Sequence, residues 1–189
     1  DNRFPMTKPI KTESSQIVWS CPWYRVRQDK IITPDGNPGV YNVVEHSGAV
    51  WIIPVTTAGE IILIYTYRYA VDDWCYEIPA GGVKHGQTLE DTALAELSEE
   101  IGGTPESLDY VGNFYTMNGI GNEVAHIFLA VNVALDQPNH EPAEVIEIRP
   151  KPIEEVLQMA QQNEISDGPS ALALLLCSER LRSLKMGTG

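Results

Sequence analysis

Residues 81–103 read GGVKHGQTLEDTALAELSEEIGG. Glycines at both ends enclose one helical pattern. Thr88 stands where an N-cap belongs, and Asp91 three residues on completes a capping-box pattern. Leu94, Leu97 and Ile101 recur at 3/4 spacing, which predicts one apolar stripe. Gly102 and Gly103 stop the pattern. The predicted helix, 88–101, carries the acids Glu90, Asp91, Glu96, Glu99 and Glu100 and no Lys, Arg or His. Glu96, Glu99 and Glu100 fall at i, i+3 and i+4, on a face opposite the stripe. Like charges at i,i+4 repel, as in Glu96/Glu100. The helix dipole also disfavours acids in the last turn, where Glu99 and Glu100 stand. A solvated polar face is one reading of this pattern. A bound divalent cation is the other, since it would relieve both penalties. Three carboxylates on one face suit Mg²⁺ or Mn²⁺, hard ions that take oxygen ligands and keep waters.

Outward from this helix the chain reads mostly as strands. Residues 1–15 are polar and predicted loose. Residues 16–28 hold two short strand-like runs broken by Pro22, and 33–39, TPDGNPG, is a turn cluster. YNVVEH, AVWIIPV, EIILIYTYR and WCYEIP, all between 41 and 79, are rich in β-branched and aromatic residues. Thr57–Glu60 reads as a hairpin turn. Beyond the helix, LDYVGNFYT, VAHIFLAVNV and EVIEIR predict further strands, and 152–163 and 169–184 predict two closing helices. This order implies a mixed sheet with helices packed on it, either α+β or a three-layer α/β/α sandwich.

The 189 residues suit one domain. Thirteen Lys and Arg against 26 Asp and Glu leave a net charge of −13. That balance argues against binding duplex nucleic acid, which requires cationic side chains on phosphates, and against docking on an anionic membrane. Residues 49–55 and 171–177, the longest apolar stretches, are too short to span a bilayer. Cys21, Cys75 and Cys177 are far apart and form no CxxC, so neither a zinc site nor a disulfide framework is readable. Reduced thiols in a cytoplasmic protein are the expectation.

The stretch Gly81 to Gly103 resembles the Nudix box, G-x5-E-x7-R-E-U-x-E-E-x-G-U, with U bulky and apolar. Gly81, Glu96, Leu97, Glu99, Glu100 and Gly102 match at correct spacing. Gln87, Ala95 and Gly103 replace the first Glu, the Arg and the last apolar residue. The lead-in Glu77-Ile78-Pro79-Ala80-Gly81 is similar to the E-x-P-A-G of the ADP-ribose pyrophosphatase branch. Pro22 to Arg27, Pro34-Asp35-Gly36, Val44-Glu45-His46, Tyr67-Arg68-Tyr69, Gly119 to Glu123, His126 to Ala130 and Ile165 to Leu172 also resemble that branch.

The resemblance implies the Nudix fold: a mixed sheet between helices, with an N-terminal strand extension over 16–46 that pairs subunits, and a catalytic domain over 47–185. It implies hydrolysis of a nucleoside diphosphate linked to another moiety, with Mg²⁺ as cofactor and Mn²⁺ as an alternative. A homodimer follows from the same likeness. Glu96, Glu99 and Glu100 become the metal ligands, assisted by the carbonyl near Ala80 or Gly81. A general base is still needed to take a proton from water. By resemblance it is a Glu on a late loop, either Glu141 or Glu144, with Glu147 a weaker candidate. Arg68, Glu77 and Glu123 are expected to line the substrate pocket. Trp23, Tyr24 and Trp74 are base-stacking candidates ranked below them. Met117-Asn118-Gly119 stands where the branch carries Ser-Pro-Gly, so an NDP-sugar or another dinucleotide stays open beside ADP-ribose. A catalytically impaired nucleotide-binding or regulatory module is the competing reading, drawn from Gln87 and Ala95.

Overall fold

Two adjacent runs of the sequence, AVWIIPV and the IILI of EIILIYTYR, are apolar at consecutive positions, so strands built from them must be covered on both faces. The computed structural model, which describes residues 8–140 and 145–186, has that arrangement. The chain forms two units. One is Asp1–Ser47 with Met117–Glu123; the other is Gly48–Thr116 with Val124–Gly189.

The first unit is an antiparallel sheet of β1 (Lys11–Ser20), β2 (Arg25–Ile32) and β3 (Pro38–Glu45), in that order. Cross-strand pairs such as Gln16 with Gln28 and Arg25 with Glu45 set its register. β1 starts at Lys11, inside the stretch expected to be loose. Ladder bonds need only backbone groups, so the polar run KTESS can serve as an edge strand, and all ten β1 residues are exposed. Gly36, at φ 85°, makes the turn between β2 and β3. The segment 117–123 runs beside β3: the Val44 amide donates to the Ile120 carbonyl at 2.8 Å and the Tyr41 hydroxyl to the Gly119 carbonyl at 2.7 Å.

The second unit is built on a seven-stranded sheet. Its strands are β4 (Ala49–Val55), β5 (Glu60–Arg68), β6 (Asp73–Glu77), β7 (Ala80–Gly82), β9 (Ser107–Tyr115), β10 (Val124–Val131) and β12 (Ile146–Pro152); β8 (Gly103–Thr104) and β11 (Ala134–Leu135) form a separate small pair. The order is β12-β5-β4-β10-β9, with β6 on β5 and β7 on β4. β4 and β10 run parallel and the other pairs antiparallel, so the sheet is mixed.

Period-2 alternation divides the sheet's side chains between two cores. Ile53, Val55, Ile61, Leu63, Ile127 and Leu129 face helices α2 (Ile153–Gln161), α3 (Gly168–Leu176) and α4 (Ser178–Met186). Val50, Ile52, Ile62, Ile64, Phe128 and Ala130 face α1 (Leu89–Ile101). The unit is therefore the expected three-layer α/β/α sandwich.

Two local expectations are corrected. Leu94 is 44% exposed; the buried stripe of α1 is Ala93, Leu97 and Ile101, and Glu100 is buried with it at 6%. The helix expected over 169–184 breaks at Cys177 into α3 and α4. The break leaves Leu174, Cys177 and Leu181 all buried, whereas Leu175 and Leu176 are exposed. No Gly or Pro marks it in the sequence.

Candidate active site

The site is organised by a change of strand partner. β6 pairs with β5 as far as Glu77, opposite Ile64, and β7 pairs with β4 from Ala80, opposite Trp51. In between, Pro79 has no N–H to offer a ladder, and its carbonyl accepts from the Ile52 amide at 2.9 Å. This switch carries the chain across the sheet and brings Ala80 and Gly81 beneath α1.

α1 starts as its sequence predicts. The Thr88 side chain accepts from the Asp91 amide, and the Asp91 carboxylate accepts from the Thr88 amide. Gly102 ends it at φ 64°, where a Cβ would stand 2.1 Å from the Asp136 carbonyl oxygen. The last-turn carbonyls are not left to repel the nearby acids. The Asn139 amide donates to the Glu99 carbonyl at 2.9 Å, His140 Nε2 to the Glu100 carbonyl at 2.7 Å, and the Asp136 amide to the Gly102 carbonyl at 2.8 Å.

Glu96 and Glu100 meet the β7 edge. The Ala80 amide donates to Glu100 Oε2 at 3.1 Å. A Cβ on Gly81 would come within 2.1 Å of the Glu96 carboxylate, so only glycine leaves that group its place. Glu99 is half-buried in the same turn. The sequence implied three carboxylates gathered as metal ligands. Among the described residues no three His, Cys, Asp or Glu side chains converge closely enough to hold a metal. Glu100 is instead turned to the Ala80 N–H. The donor set still fits a hard divalent ion: two carboxylates lie along one backbone edge, with a third acid on the same turn and no nitrogen or sulfur ligand needed.

Arg68 and Glu77 form a two-pronged pair. Arg68 Nε donates to Oε1 at 2.7 Å and Nη2 to Oε2 at 2.5 Å. Glu77 is 4% exposed, whereas half of the Arg68 side chain faces solvent. The hydrogen bonds to Glu77 hold the Arg68 pKa above its ordinary value against the opposing effect of burial, and the charges of Glu77, Glu100 and Asp167 add to this. Arg68 thus lies in the field of an acid of the box.

Glu123 belongs to the N-terminal unit, where its carboxylate pairs with His46 Nδ1 at 3.0 Å. His46 lines a cavity of about 410 Å³ in that unit, together with Trp23, Tyr24, Arg25, Glu45 and Asn122. Trp23 is 74% exposed, so it is not a core aromatic. Trp74, on β6, stacks on Tyr65 at 5.2 Å. Glu141 and Glu144 lie outside the described residues. Glu147 is exposed on β12 and paired with Arg149. Gln87 precedes the cap of α1, and Ala95 is half-buried. The cysteines are free, Cys75 and Cys177 being buried. Among the described residues no helix is long and apolar enough to cross a membrane.

Sequence reasoning missed Asp167 and Ser170. Asp167 caps α3, and its carboxylate takes both the amide and the hydroxyl of Ser170, at 2.9 and 2.5 Å. The run Asp-Gly-Pro-Ser carried that capping signal.

A three-layer sandwich whose acidic helix packs on a glycine-bearing strand edge defines a class, and comparison with known proteins agrees. The Nudix domain model matches residues 45–172, and the model of the nucleoside diphosphate sugar hydrolase N-terminal domain matches residues 10–44. An ADP-ribose pyrophosphatase of Bacillus subtilis (strain 168) is 31% identical over 179 residues, which cover 93% of this chain and 97% of that protein. A methanol dehydrogenase activator of Bacillus methanolicus is 28% identical over 169 residues, covering 88% and 90%. The crystal structure of an ADP compounds hydrolase shares the fold, with a TM-score of 0.80 at 18% identity, covering 92% of this chain and 95% of that one. The chain belongs to the Nudix family and is a pyrophosphohydrolase of that family.

Proposed function

We propose that the protein hydrolyses the pyrophosphate bond of a nucleoside diphosphate linked to another moiety, ADP-ribose or an NDP-sugar, with Mg²⁺ as cofactor and Mn²⁺ as an alternative. The observation that carries this reading is the placement of Glu96 and Glu100 along the Ala80–Gly81 edge, at the box positions expected to hold metal. The names of the similar proteins from Bacillus subtilis and Mus musculus, an ADP-ribose pyrophosphatase and an ADP-sugar pyrophosphatase, support the substrate class.

Glu96, Glu99 and Glu100, with the backbone carbonyl at Ala80, would hold the ion. When bound, such an ion neutralises pyrophosphate oxygens and lowers the pKa of water. Glu141 or Glu144 takes the proton from the attacking water as its oxygen bonds to phosphorus. The bond from that phosphorus to the bridging oxygen breaks, leaving a nucleoside monophosphate and a phosphorylated moiety. Arg68 offers its exposed edge to a phosphate while Glu77 fixes its plane. Glu123 also serves the substrate in this reading, with Trp23, Tyr24 and Trp74 as the lower-ranked candidates for stacking on a base.

The chain works as a homodimer in this reading. β1 leaves Ile17, Val18 and Trp19 about half exposed on an edge strand, a surface suited to a second copy. The deciding experiment is release of nucleoside monophosphate from a panel of ADP-ribose, GDP-mannose and UDP-sugars, with Mg²⁺ and with EDTA. Hydrolysis of none of them in Mg²⁺ would overturn the substrate class.

A further inference from the structure

The partner switch at Glu77–Ala80 is held from both faces of the sheet. On the α1 side, Glu100 takes the Ala80 N–H. On the opposite side, the Ile78 N–H, which lies between the last β6 pair and the first β7 pair, donates to Ser170 Oγ of α3 at 3.1 Å. Ile78 and Ser170 are both 0% exposed, so water cannot replace that acceptor. Without it a buried amide would be left unsatisfied, which destabilises that backbone placement.

Ser170 is fitted to this task. Its hydroxyl hydrogen goes to Asp167 Oδ2 at 2.5 Å, which turns an oxygen lone pair toward Ile78. Asp167 is itself fixed as the cap of α3, accepting the Ser170 amide at 2.9 Å. A continuous path therefore runs from the α3 cap through one hydroxyl to the Ile78 amide. Two residues further on is the amide that Glu100 accepts, and then the glycine against which the Glu96 carboxylate lies. Asp167 also adds to the field on Arg68, so α3 reaches both the backbone edge and the cation of the site.

We infer that Ser170, oriented by Asp167, is a positioning residue for the carboxylate edge: it fixes the Ile78–Gly81 backbone from the far side of the sheet and so sets the geometry in which Glu96 and Glu100 hold a divalent ion. This rests on the metal-dependent reading above. It assigns no contact between Ser170 and substrate. It separates Ser170 from the ordinary core of α3, such as Ala173, which is equally buried but hydrogen-bonds no part of the switch through its side chain.

The test is Mn²⁺ binding without substrate, followed by electron paramagnetic resonance of the free ion, beside kcat and KM for ADP-ribose in Mg²⁺. Partners that orient metal ligands typically contribute 10–100-fold to affinity or activity. Ser170→Ala is expected to weaken Mn²⁺ binding about 10-fold and to lower kcat with little change in KM. Ser170→Thr, which keeps the hydroxyl, should recover most of both. Ala173→Gly, which loosens the same helix, should leave Mn²⁺ affinity as it is. Should Ser170→Ala not fold, Ser170→Cys, a poorer acceptor of similar size, takes its place with the same expectation. Native Mn²⁺ affinity in folded Ser170→Ala or Ser170→Cys, while Glu100→Gln has lost it, overturns the inference alone. An equal loss in Ala173→Gly overturns it too, by making the effect one of general stability. If the unaltered protein binds no Mn²⁺, the metal-dependent reading falls and takes this inference with it.

Discussion

The Glu96 carboxylate lies where a side chain on residue 81 would begin: a Cβ there would stand 2.1 Å from both Cδ and Oε1. The obstructing atoms are the far end of a flexible side chain, so the fold can yield but the carboxylate cannot stay. Gly81→Ala is therefore expected to change unfolding free energy by no more than about 1 kcal/mol and to lower hydrolysis at least about 10-fold. Urea titration and initial rates check this. A variant as active as the parent would show that Glu96 needs no room at Gly81.

Glu100 accepts from the Ala80 N–H and is also expected to hold metal. Glu100→Gln keeps an amide oxygen that can accept from Ala80, so the melting temperature should move little. Its negative charge is lost, and hydrolysis in millimolar Mg²⁺ should fall by at least about 10-fold. EDTA should stop the unaltered enzyme and added Mg²⁺ restore it. Activity indifferent to EDTA would remove the metal from the reaction.

Arg68 grips Glu77 with two parallel hydrogen bonds, a geometry lysine cannot reproduce. Arg68→Lys should raise KM several-fold for a nucleoside diphosphate substrate and leave kcat within about twofold, the pattern of a lost binding contact. Because half of the Arg68 side chain is exposed, the stability cost should stay within about 1 kcal/mol. A fall in kcat at unchanged KM would move Arg68 from binding to the chemical step.

Light scattering at micromolar concentration should give twice the mass of one 20.9 kDa chain. Replacing Ile17 and Trp19 with Lys should shift the particle toward a single chain, since charges on an edge strand discourage pairing. A monomer before any substitution would refute the dimer.

Features that depend on local chemistry could be read from the chain. The cap at Thr88, the stop at Gly102 and the apolar runs within β4 and β5 each announce themselves within a few residues, and the box supplied Glu96, Glu99 and Glu100 as candidates. What the sequence hid depended on distant partners. A helical wheel placed Glu100 on a wet face, yet the Ala80 N–H, twenty residues away, draws it into the interior. Ser170 has no local mark of its contact with the switch, because its partner is an amide 92 positions earlier. The break at Cys177 left no signal, since Leu, Cys and Ser all tolerate helix and the turn serves burial.

The end of α1 has a consequence for how such a molecule can vary. Asn139 and His140 are hydrogen-bonded to the carbonyls of Glu99 and Glu100, although forty positions separate Glu100 from His140 along the chain. The place of Asn139 and His140 is therefore measured from the acidic helix itself and not from the length of chain in between. Insertions or deletions in the intervening turns would lengthen or shorten the path without moving its last anchor. The spacing between the acids of the helix and the stretch 136–140 is a property of three hydrogen bonds, from Asp136, Asn139 and His140, and it can persist while the chain around it drifts.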